Sequence, residues 1–193
     1  GKDYSIDASG MVLQYVLDLQ KYSDIPVNKI SYINKDLFVE LNLATQKNLE
    51  LIENPRERGS HGTLLWVLDQ CKTSMGSRKL KEFIKNPLIN KEEILHRQSH
   101  VEYFMDEIII REEIKDKLKE VYDIERLIGK IILGTENGRD LIALKKSLSS
   151  SLGIGNILGE KIVKIDRNLL CEIYEKIEKT IVEEPPFSVR EGG

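Results

Sequence analysis

Hydrophobic residues recur every three or four positions along most of this chain, which is the spacing of one face of an α-helix. The clearest stripes lie at residues 12–17, 94–105, 108–121, 127–132, 141–148 and 170–181. Short polar stretches rich in glycine, proline or asparagine separate them, and these residues favour turns. Asn90 and Asp123 are predicted to cap the helices that follow them. The pattern therefore predicts a mainly α-helical chain, a multi-helix bundle of about eight helices with short connections.

Two stretches alternate instead with a period of two. Residues 29–33 carry β-forming side chains in this pattern and predict at most one short strand. Residues 36–43 also alternate but run into a helical pattern at 45–53, so strand and helix both remain open there. A first helix is expected to end near Tyr22, before a loop at residues 24–26. Residues 149–155 contain three serines and two glycines, and we expect them to loosen the preceding helix.

The most detailed pattern lies at residues 58–80, where two helices are predicted on either side of a short polar hinge at Thr73 and Ser74. The segment pairs no nucleophile with a base and contains no metal cage or phosphate loop. The segment therefore indicates that helices pack against each other here, and that its function is to transmit structural change and not to perform chemistry. Cys71 is expected to be a small buried residue. The predicted core consists of Leu64, Leu65, Trp66, Leu68, Leu127, Ile131, Leu141 and Leu144.

Composition and charge narrow the class of protein. The 193 residues fit one domain or slightly more. A net charge of −3 argues against a self-sufficient nucleic-acid binder, because such binding needs a basic surface. The longest apolar run, residues 108–110, is far too short to span a bilayer, and no signal peptide is present. We expect a cytoplasmic protein without membrane contact, whose distant Cys71 and Cys171 are reduced thiols.

Candidates for catalysis or metal binding are few. His96 and His100 have the spacing of a metal-binding pair on a helix, but no third ligand accompanies them, so a solvated surface is favoured. His61 has no nearby partner in sequence. Residues 153–161 resemble a phosphate loop only faintly, because the lysine followed by Ser or Thr and the preceding strand are missing. We therefore predict no catalytic, cofactor-binding or metal-binding residue in this chain.

Basic residues form three small clusters, at positions 56 and 58, 79 and 81, and 145 and 146. Acidic residues are interleaved with each cluster, which favours solvated helix faces over phosphate contacts. Three other arginines each stand beside an acid near a helix boundary, where arginine–carboxylate clasps between helices are predicted. They are Arg126 beside Glu125, Arg139 beside Asp140, and Arg190 beside Glu191.

Five segments, in order along the chain, resemble the core or lever region of the MutS family of DNA mismatch-repair proteins. They are ASGMVLQYVLDLQK (8–21), LNLATQKNLEL (41–51), residues 58–80, YDIERLIGKIILGTENGRDLIALKKSL (122–148) and PPFSVREGG (185–193). Within residues 58–80, family positions are occupied by GTLLWVLD (62–69), Thr73, Met75, Gly76 and Arg78.

The chain departs from the family pattern at several points. Gly138 stands where the family usually has a proline, and we expect it to loosen the start of that helix. Asn42 stands where an aspartate is common, which puts a cap made by that acid in question. Residues 149–165 match poorly.

The resemblance implies a fragment of a dimeric, ATP-driven mismatch sensor. Residues 1–25 are similar to the helix that leaves the connector domain. Residues 26–193 are similar to the outgoing part of the core or lever domain, cut before the DNA-gripping clamp inserted after Gly193. The chain opens without Met and stops after Gly-Gly, so we expect a piece excised from a longer protein. The mismatch-reading domain would precede this piece, and the ATPase would follow it.

Partners and cofactors follow from the same resemblance. The parent would bind mismatched duplex DNA, ATP and Mg²⁺ and would act as a homodimer, while this fragment would be a non-catalytic monomer with little affinity for DNA. Two alternatives remain, a MutS relative acting in recombination and a stand-alone helical protein-interaction module. A mismatch-reading domain upstream would separate repair from recombination, and a parent that stops near Gly193 would favour the module. An enzyme acting within these residues is the least favoured class.

Overall fold

The computed structural model describes residues 2–20, 29, 35–56, 59–160 and 162–186, and the chain divides into two compact units, Gly1–Asn34 and Lys35–Gly193. In the first unit, helix α1 spans Lys2–Gln20. Its predicted stripe is partly covered at Leu13, Val16 and Leu17. The expected helix end near Tyr22 and all but one residue of the predicted strand at 29–33 lie outside the described residues.

The second unit is also helical. After a 3₁₀ turn at Lys35–Leu37, the helices are α2 (Leu43–Asn48), α3 (Leu64–Leu68), α4 (Ser74–Lys85), α5 (Lys91–Asp106), α6 (Ile108–Lys119), α7 (Ile124–Ile132), α8 (Gly138–Leu158) and α9 (Arg167–Thr180). In the part of the chain that the structure describes, β-structure is limited to two isolated bridges, Phe38 with Leu88 and Asn54 with Gly59. The prediction of a mainly α-helical bundle is confirmed. Of the ambiguous residues 36–43, the first two lie in the 3₁₀ turn, Phe38 forms one bridge, and Leu43 begins α2.

Side-chain caps explain where several helices begin. The Asn90 side chain accepts hydrogen bonds from the backbone N–H groups of Glu92 and Glu93, and Asp123 accepts one from Arg126, as the sequence predicts. Asn42 caps α2 through a 2.8 Å hydrogen bond from the backbone N–H of Thr45. The amide side chain of Asn42 therefore caps α2 at the position where the family commonly has an aspartate.

The core of the second unit lies between α7, α8 and α9. Its buried side chains are those of Leu127, Leu144, Leu148 and Ile177. Leu141 is partly buried and packs against them. Helix α6 packs on α8 and contributes the buried Ile114. The predicted core positions Leu127 and Leu144 are therefore confirmed.

Other predicted core positions are wrong. Leu64, Trp66 and Leu68 are about half-exposed, Leu65 is only partly buried, and Ile131 lies at the surface. The physical reason at α3 is its length of five residues. All five side chains of this helix are apolar and together point in all directions, and a neighbouring helix covers only one side of it.

The expected loosening at residues 149–155 is also wrong, because α8 runs unbroken through them. The hydroxyls of Ser147 and Ser151 donate to backbone carbonyls four residues earlier in the same helix, at 2.8 and 2.7 Å. Gly155 permits close packing, since a Cβ there would lie 2.6 Å from Ile165 Cδ1. The small residues thus serve the contacts of α8 with its neighbours. None of the described helices is long and apolar enough to cross a membrane.

Candidate functional site

The segment at residues 58–80 is held in place from its first helix onward. The fully buried Thr63 accepts a hydrogen bond from the backbone N–H of Trp66 and donates one to the carbonyl of Ser60. The next two backbone N–H groups, of Leu64 and Leu65, donate to the carbonyls of residues 50 and 51 at 3.1 and 2.9 Å. Helix α3 is therefore tied to the chain that leaves α2.

The hinge between α3 and α4 is ordered by polar side chains. Asp69 Oδ1 accepts hydrogen bonds from the backbone N–H of Cys71 and the hydroxyl of Ser77, at 3.2 and 3.0 Å. The bond from Ser77 is the main reason that the pKa of Asp69 is lowered. Thr73 Oγ1 accepts from the backbone N–H of Gly76, and a Cβ at Gly76 would lie 3.1 Å from that oxygen.

The structure places Cys71 at the surface, which corrects the prediction that this residue is buried. Its neighbours Asp69 and Ser77 are polar, and Gly76 approaches it closely, since a Cβ at Gly76 would lie 3.3 Å from Cys71 Cβ. Desolvation, followed by the Asp69 carboxylate, raises the pKa of the thiol. A thiol of raised pKa is a poor nucleophile at neutral pH. Cys171 is also exposed and free.

The Arg78 guanidinium, on α4, binds the carboxylate that begins α7. Arg78 Nη1 lies 2.7 Å from Asp123 Oδ2 and Nη2 lies 2.9 Å from Oδ1, so the pair is bidentate. Nη2 also donates to Glu125, and the hydroxyl of Ser74 donates to Asp123 Oδ2 at 2.9 Å. We call these four residues the Arg78 clasp. It lowers the pKa of Asp123 and raises that of Arg78.

Asp123 performs two tasks in this clasp. Its Oδ1 also accepts the backbone N–H of Arg126 at 3.2 Å and so caps α7. One carboxylate therefore starts α7 and holds α4 against it. The sequence predicts the cap but not the partner, because Arg78 lies 45 positions away. The available signal is that Thr73, Met75, Gly76 and Arg78 all stand in family positions within one segment.

A second junction connects the chain before α7 to α8. The Ser147 side chain is completely buried and accepts the backbone N–H of Tyr122 at 2.9 Å. One turn further on, Ser150 donates to Glu120 Oε2 at 2.8 Å. The two serines thus fix the connection between α6 and α7 on the surface of α8.

Lysines form the other long-range ion pairs in the described bundle. Lys130 lies 2.7 Å from Asp140, and the hydrogen bond between them is the main cause of the lowered pKa of Asp140. Asp140 also completes a capping box with Asn137 at the start of α8. The start of α8 is therefore well capped with Gly138 as its first residue, which corrects the expectation of a loosened start. Lys145 pairs with Glu178 and joins α8 to α9.

The predicted arginine clasps have different partners. Glu125, expected beside Arg126, binds Arg78, and Asp140, expected beside Arg139, binds Lys130. Arg139 Nε donates to the carbonyl of Pro185 at 3.3 Å. Charged neighbours in sequence point in different directions from a helix, so contacts between helices select the partner. Arg190 lies outside the described residues.

The three histidines contact aromatic rings, and the glycine-rich residues 153–158 lie within a helix. The rings of His96 and His100 contact each other with centroids 4.5 Å apart, and His61 lies against Trp66 at 4.6 Å. Across the described ranges, His, Cys, Asp and Glu nowhere form a group of three that could hold a metal ion. Residues 153–158, compared above with a phosphate loop, belong to α8.

In two of the three basic clusters one lysine pairs with an acid, and Arg58 of the third cluster lies outside the described residues. Lys79 lies 2.9 Å from Glu82, and Lys145 pairs with Glu178. Lys146 and Lys81 carry exposed side chains on helix surfaces, and Arg56 is exposed in the loop after α2. This arrangement supports the interpretation of a solvated face for Lys79, Lys81, Lys146 and Arg56. It corrects that interpretation for Lys145, whose side chain is only 11% exposed.

Comparisons with known proteins agree in pointing to one family. The family model of MutS domain III matches residues 44–193. The chain is 49% identical to the DNA mismatch repair protein MutS of Fusobacterium nucleatum, over 100% of the chain and 22% of that protein. It is 41% identical to the protein of the same name from Acetivibrio thermocellus, over 99% of the chain and 23% of that protein. It is 40% identical to the DNA mismatch repair protein MutS of Halalkalibacterium halodurans, over 96% of the chain and 22% of that protein. The chain thus spans about a fifth of the length of these curated relatives.

Proposed function

The chain belongs to the MutS family and carries its domain III, and we propose that it is a non-catalytic helical lever within a longer mismatch-repair protein. The whole protein binds mismatched duplex DNA, and ATP with Mg²⁺, through its other domains, and it acts as a homodimer. The lever couples DNA held by a clamp domain to the nucleotide state of an ATPase domain. The fragment alone remains a monomer with little affinity for DNA.

The Arg78 clasp is the observation that carries this proposal. It joins α4, in the segment at residues 58–80, to Asp123, the N-cap of α7, and α7 packs into the core of the bundle. A force applied to α3 or α4 therefore reaches α7 and α8 through a bidentate ion pair and a buried core. Close-packed helices have few alternative arrangements, so they move as units when one of them is displaced.

Coupling also requires an element with two states that both sites influence. The Arg78 clasp is suited to this role because it is accessible. Arg78 is about half-exposed and Glu125 mostly exposed, so water can replace either partner when the helices shift. The cap that Asp123 makes on α7 does not need Arg78, so α7 can persist when the clasp opens.

The charge distribution supports contact with DNA through other domains. The chain carries 29 basic and 32 acidic residues. Strong binding to duplex DNA depends on basic side chains that replace the counterions of the phosphates. Of the basic residues named above, Arg78, Lys79, Lys130 and Lys145 are engaged with carboxylates.

A role in repair is favoured over one in recombination. The three relatives compared above are each named a DNA mismatch repair protein. A stand-alone interaction module is disfavoured because the chain matches a fifth of each relative as one continuous domain.

The test replaces Arg78 in the whole protein and measures binding of a mismatched duplex by fluorescence anisotropy, with and without ATP. For Arg78→Ala we expect normal binding without nucleotide and a weakened effect of ATP on that binding. Arg78→Lys retains one charge but not the bidentate geometry, so we expect an intermediate effect. Lys79→Ala is the matched control, because Lys79 is an exposed cation on the same helix whose pair with Glu82 lies within α4.

An unchanged response to ATP in Arg78→Ala, with the variant folded, would contradict a coupling role for the clasp. Loss of DNA binding already in the absence of nucleotide would also contradict it, because the lever would then contribute to the DNA site itself. A response that is lost equally in Lys79→Ala would show that charge on α4, rather than the clasp, is responsible.

A further inference from the structure

Helix α3 keeps apolar side chains at the surface although its backbone is firmly held. Trp66 is 51% exposed and Val67 59% exposed, with Leu64 and Leu68 close to half-exposed. Trp66 and Val67 line one concavity together with Leu65, and we call these three residues the α3 face. Contiguous apolar surface bordered by polar residues marks sites of interaction in proteins.

The backbone beneath the α3 face is fixed at both ends. At the start of α3, the buried Thr63 caps the helix and Leu65 donates its N–H to the carbonyl of Leu51. At its end, Asp69 is held by the hydroxyl of Ser77 on α4. The apolar side chains are therefore presented on a rigid support, which reduces the entropy lost when a partner binds.

A concavity lies beside Trp66 and combines apolar and acidic surface. It has a volume of about 530 Å³ and is lined by Leu65, Trp66, Val67 and Asp69, together with Ser60 and Gln70. Ser77 and the backbone of Cys71 orient the Asp69 carboxylate at the edge of this concavity. An apolar side chain accompanied by a lysine or arginine would complement this surface.

The size of the α3 face identifies the kind of partner. These three side chains, each at least partly exposed, offer on the order of a few hundred Å², whereas a stable interface buries about 800 Å² on each partner. A separate protein or a second copy would gain too little from this face alone. A domain in the same polypeptide needs far less area, because a covalent link gives it an effective concentration in the millimolar range.

We propose that the α3 face is the docking surface for another domain of the same polypeptide, which inserts an apolar side chain next to Trp66 and places a cation beside Asp69. About four fifths of the length of the curated relatives lies outside the region matched by this chain, so the whole protein has such domains to offer. This inference rests on the proposed function and adds to it the surface through which a neighbouring domain moves the lever. The hinge connects α3 to α4, and the Arg78 clasp connects α4 to α7.

The test is hydroxyl-radical footprinting of the whole protein, with oxidation at each residue quantified by mass spectrometry. Tyr122 is the internal reference, because it is also 51% exposed in this chain. We expect Trp66 to be strongly protected relative to Tyr122, and the protection to persist on dilution. Val67→Asp places a charge on the docking surface and is expected to restore the oxidation of Trp66.

Ile109→Asp is the matched control, since Ile109 is a highly exposed β-branched residue on α6, outside the α3 face. It should leave the protection of Trp66 unchanged. Oxidation of Trp66 to the same extent as Tyr122 in the unmodified protein would overturn the proposal. Protection that disappears on dilution would also overturn it, because a second copy would then cover the face. These outcomes are independent of the Arg78→Ala experiment, whose result decides the coupling role itself.

Discussion

Arg78 and Asp123 are joined by two parallel hydrogen bonds, Nη1 to Oδ2 at 2.7 Å and Nη2 to Oδ1 at 2.9 Å. The pair connects α4 to the first turn of α7, and Asp123 simultaneously caps that helix. The planar guanidinium fits the carboxylate in a way that an ammonium group does not. The geometry of the junction therefore depends on arginine at this position, beyond the need for a positive charge.

This pair should make the stability of the chain depend on pH in a specific way. Hydrogen bonds from Arg78 are the main reason that the pKa of Asp123 lies below its ordinary value of 3.8. A carboxylate whose pKa is lower in the folded state stabilises the fold at pH values above its unfolded pKa, and the stabilisation is lost as the pH falls through the folded pKa. Arg78→Gln removes the main cause of this lowered pKa, while the hydrogen bonds from Ser74 and the backbone of Arg126 remain. The variant should be less stable than the original chain at pH 7, and the difference should shrink at acid pH.

Urea denaturation at pH 7 and pH 3 tests this prediction. Lys79→Gln is the control, because the Lys79–Glu82 pair is exposed and lies within one helix. We expect that variant to differ little from the original chain at either pH. A stability difference for Arg78→Gln that stays constant from pH 7 to pH 3 would show that Asp123 is not the group responsible.

The buried hydroxyl of Ser147 should contribute to the stability of the chain through its hydrogen bond with the backbone N–H of Tyr122. Ser147→Ala removes the acceptor for the backbone N–H of Tyr122 and leaves that partly buried donor without its partner. We expect a loss of about 1–3 kcal/mol in the free energy of unfolding. Ser149→Ala is the matched control on the exposed side of α8, where the change should stay within about 0.5 kcal/mol. Equal effects of the two variants in urea denaturation would contradict the role assigned to this hydrogen bond.

Local signals made the helices predictable from the sequence. Asn90 and Asp123 cap the helices that they were expected to begin, and Leu127 and Leu144 face the core as predicted. These features depend on residues within a few positions of one another. For the same reason, a motif of only structural residues was sufficient to suggest the family.

Contacts between distant parts of the chain were not predictable in this way. Glu125 and Asp140 both have an arginine as a sequence neighbour, yet they bind Arg78 and Lys130. Trp66 has a large hydrophobic side chain, as many core residues do, but hydrophobicity alone does not say which element covers a side chain. The serines before Gly153 favour turns when considered alone, whereas packing against α6 and α9 keeps them helical.

Because Trp66 is about half-exposed, its removal should cost less free energy of unfolding than the removal of a core residue. In this chain we predict that Trp66→Ala lowers the free energy of unfolding by about 1 kcal/mol or less, as for other substitutions outside the core. Leu148→Ala is the comparison, because Leu148 is 5% exposed and packs with Leu127, Leu144 and Ile177. Its loss should cost about 2–5 kcal/mol. Urea denaturation that gives Trp66→Ala the larger cost would show that α3 is part of the core in solution.

Two helical glycines should respond in opposite directions to the same substitution. Gly138 is the first residue of α8, and a Cβ there would lie 2.6 Å from Pro185 Cβ and 3.1 Å from Pro185 Cγ. A proline ring cannot rotate away, so Gly138→Ala must displace the chain that follows α9, at a cost of about 1–3 kcal/mol. Gly129 lies inside α7 with nothing within 4 Å of the same position. Gly129→Ala should therefore stabilise the chain by up to about 1 kcal/mol, because alanine is the better helix former. The midpoint of thermal unfolding should fall for the first variant and rise for the second. A rise for both would mean that Pro185 does not pack against the start of α8 in solution.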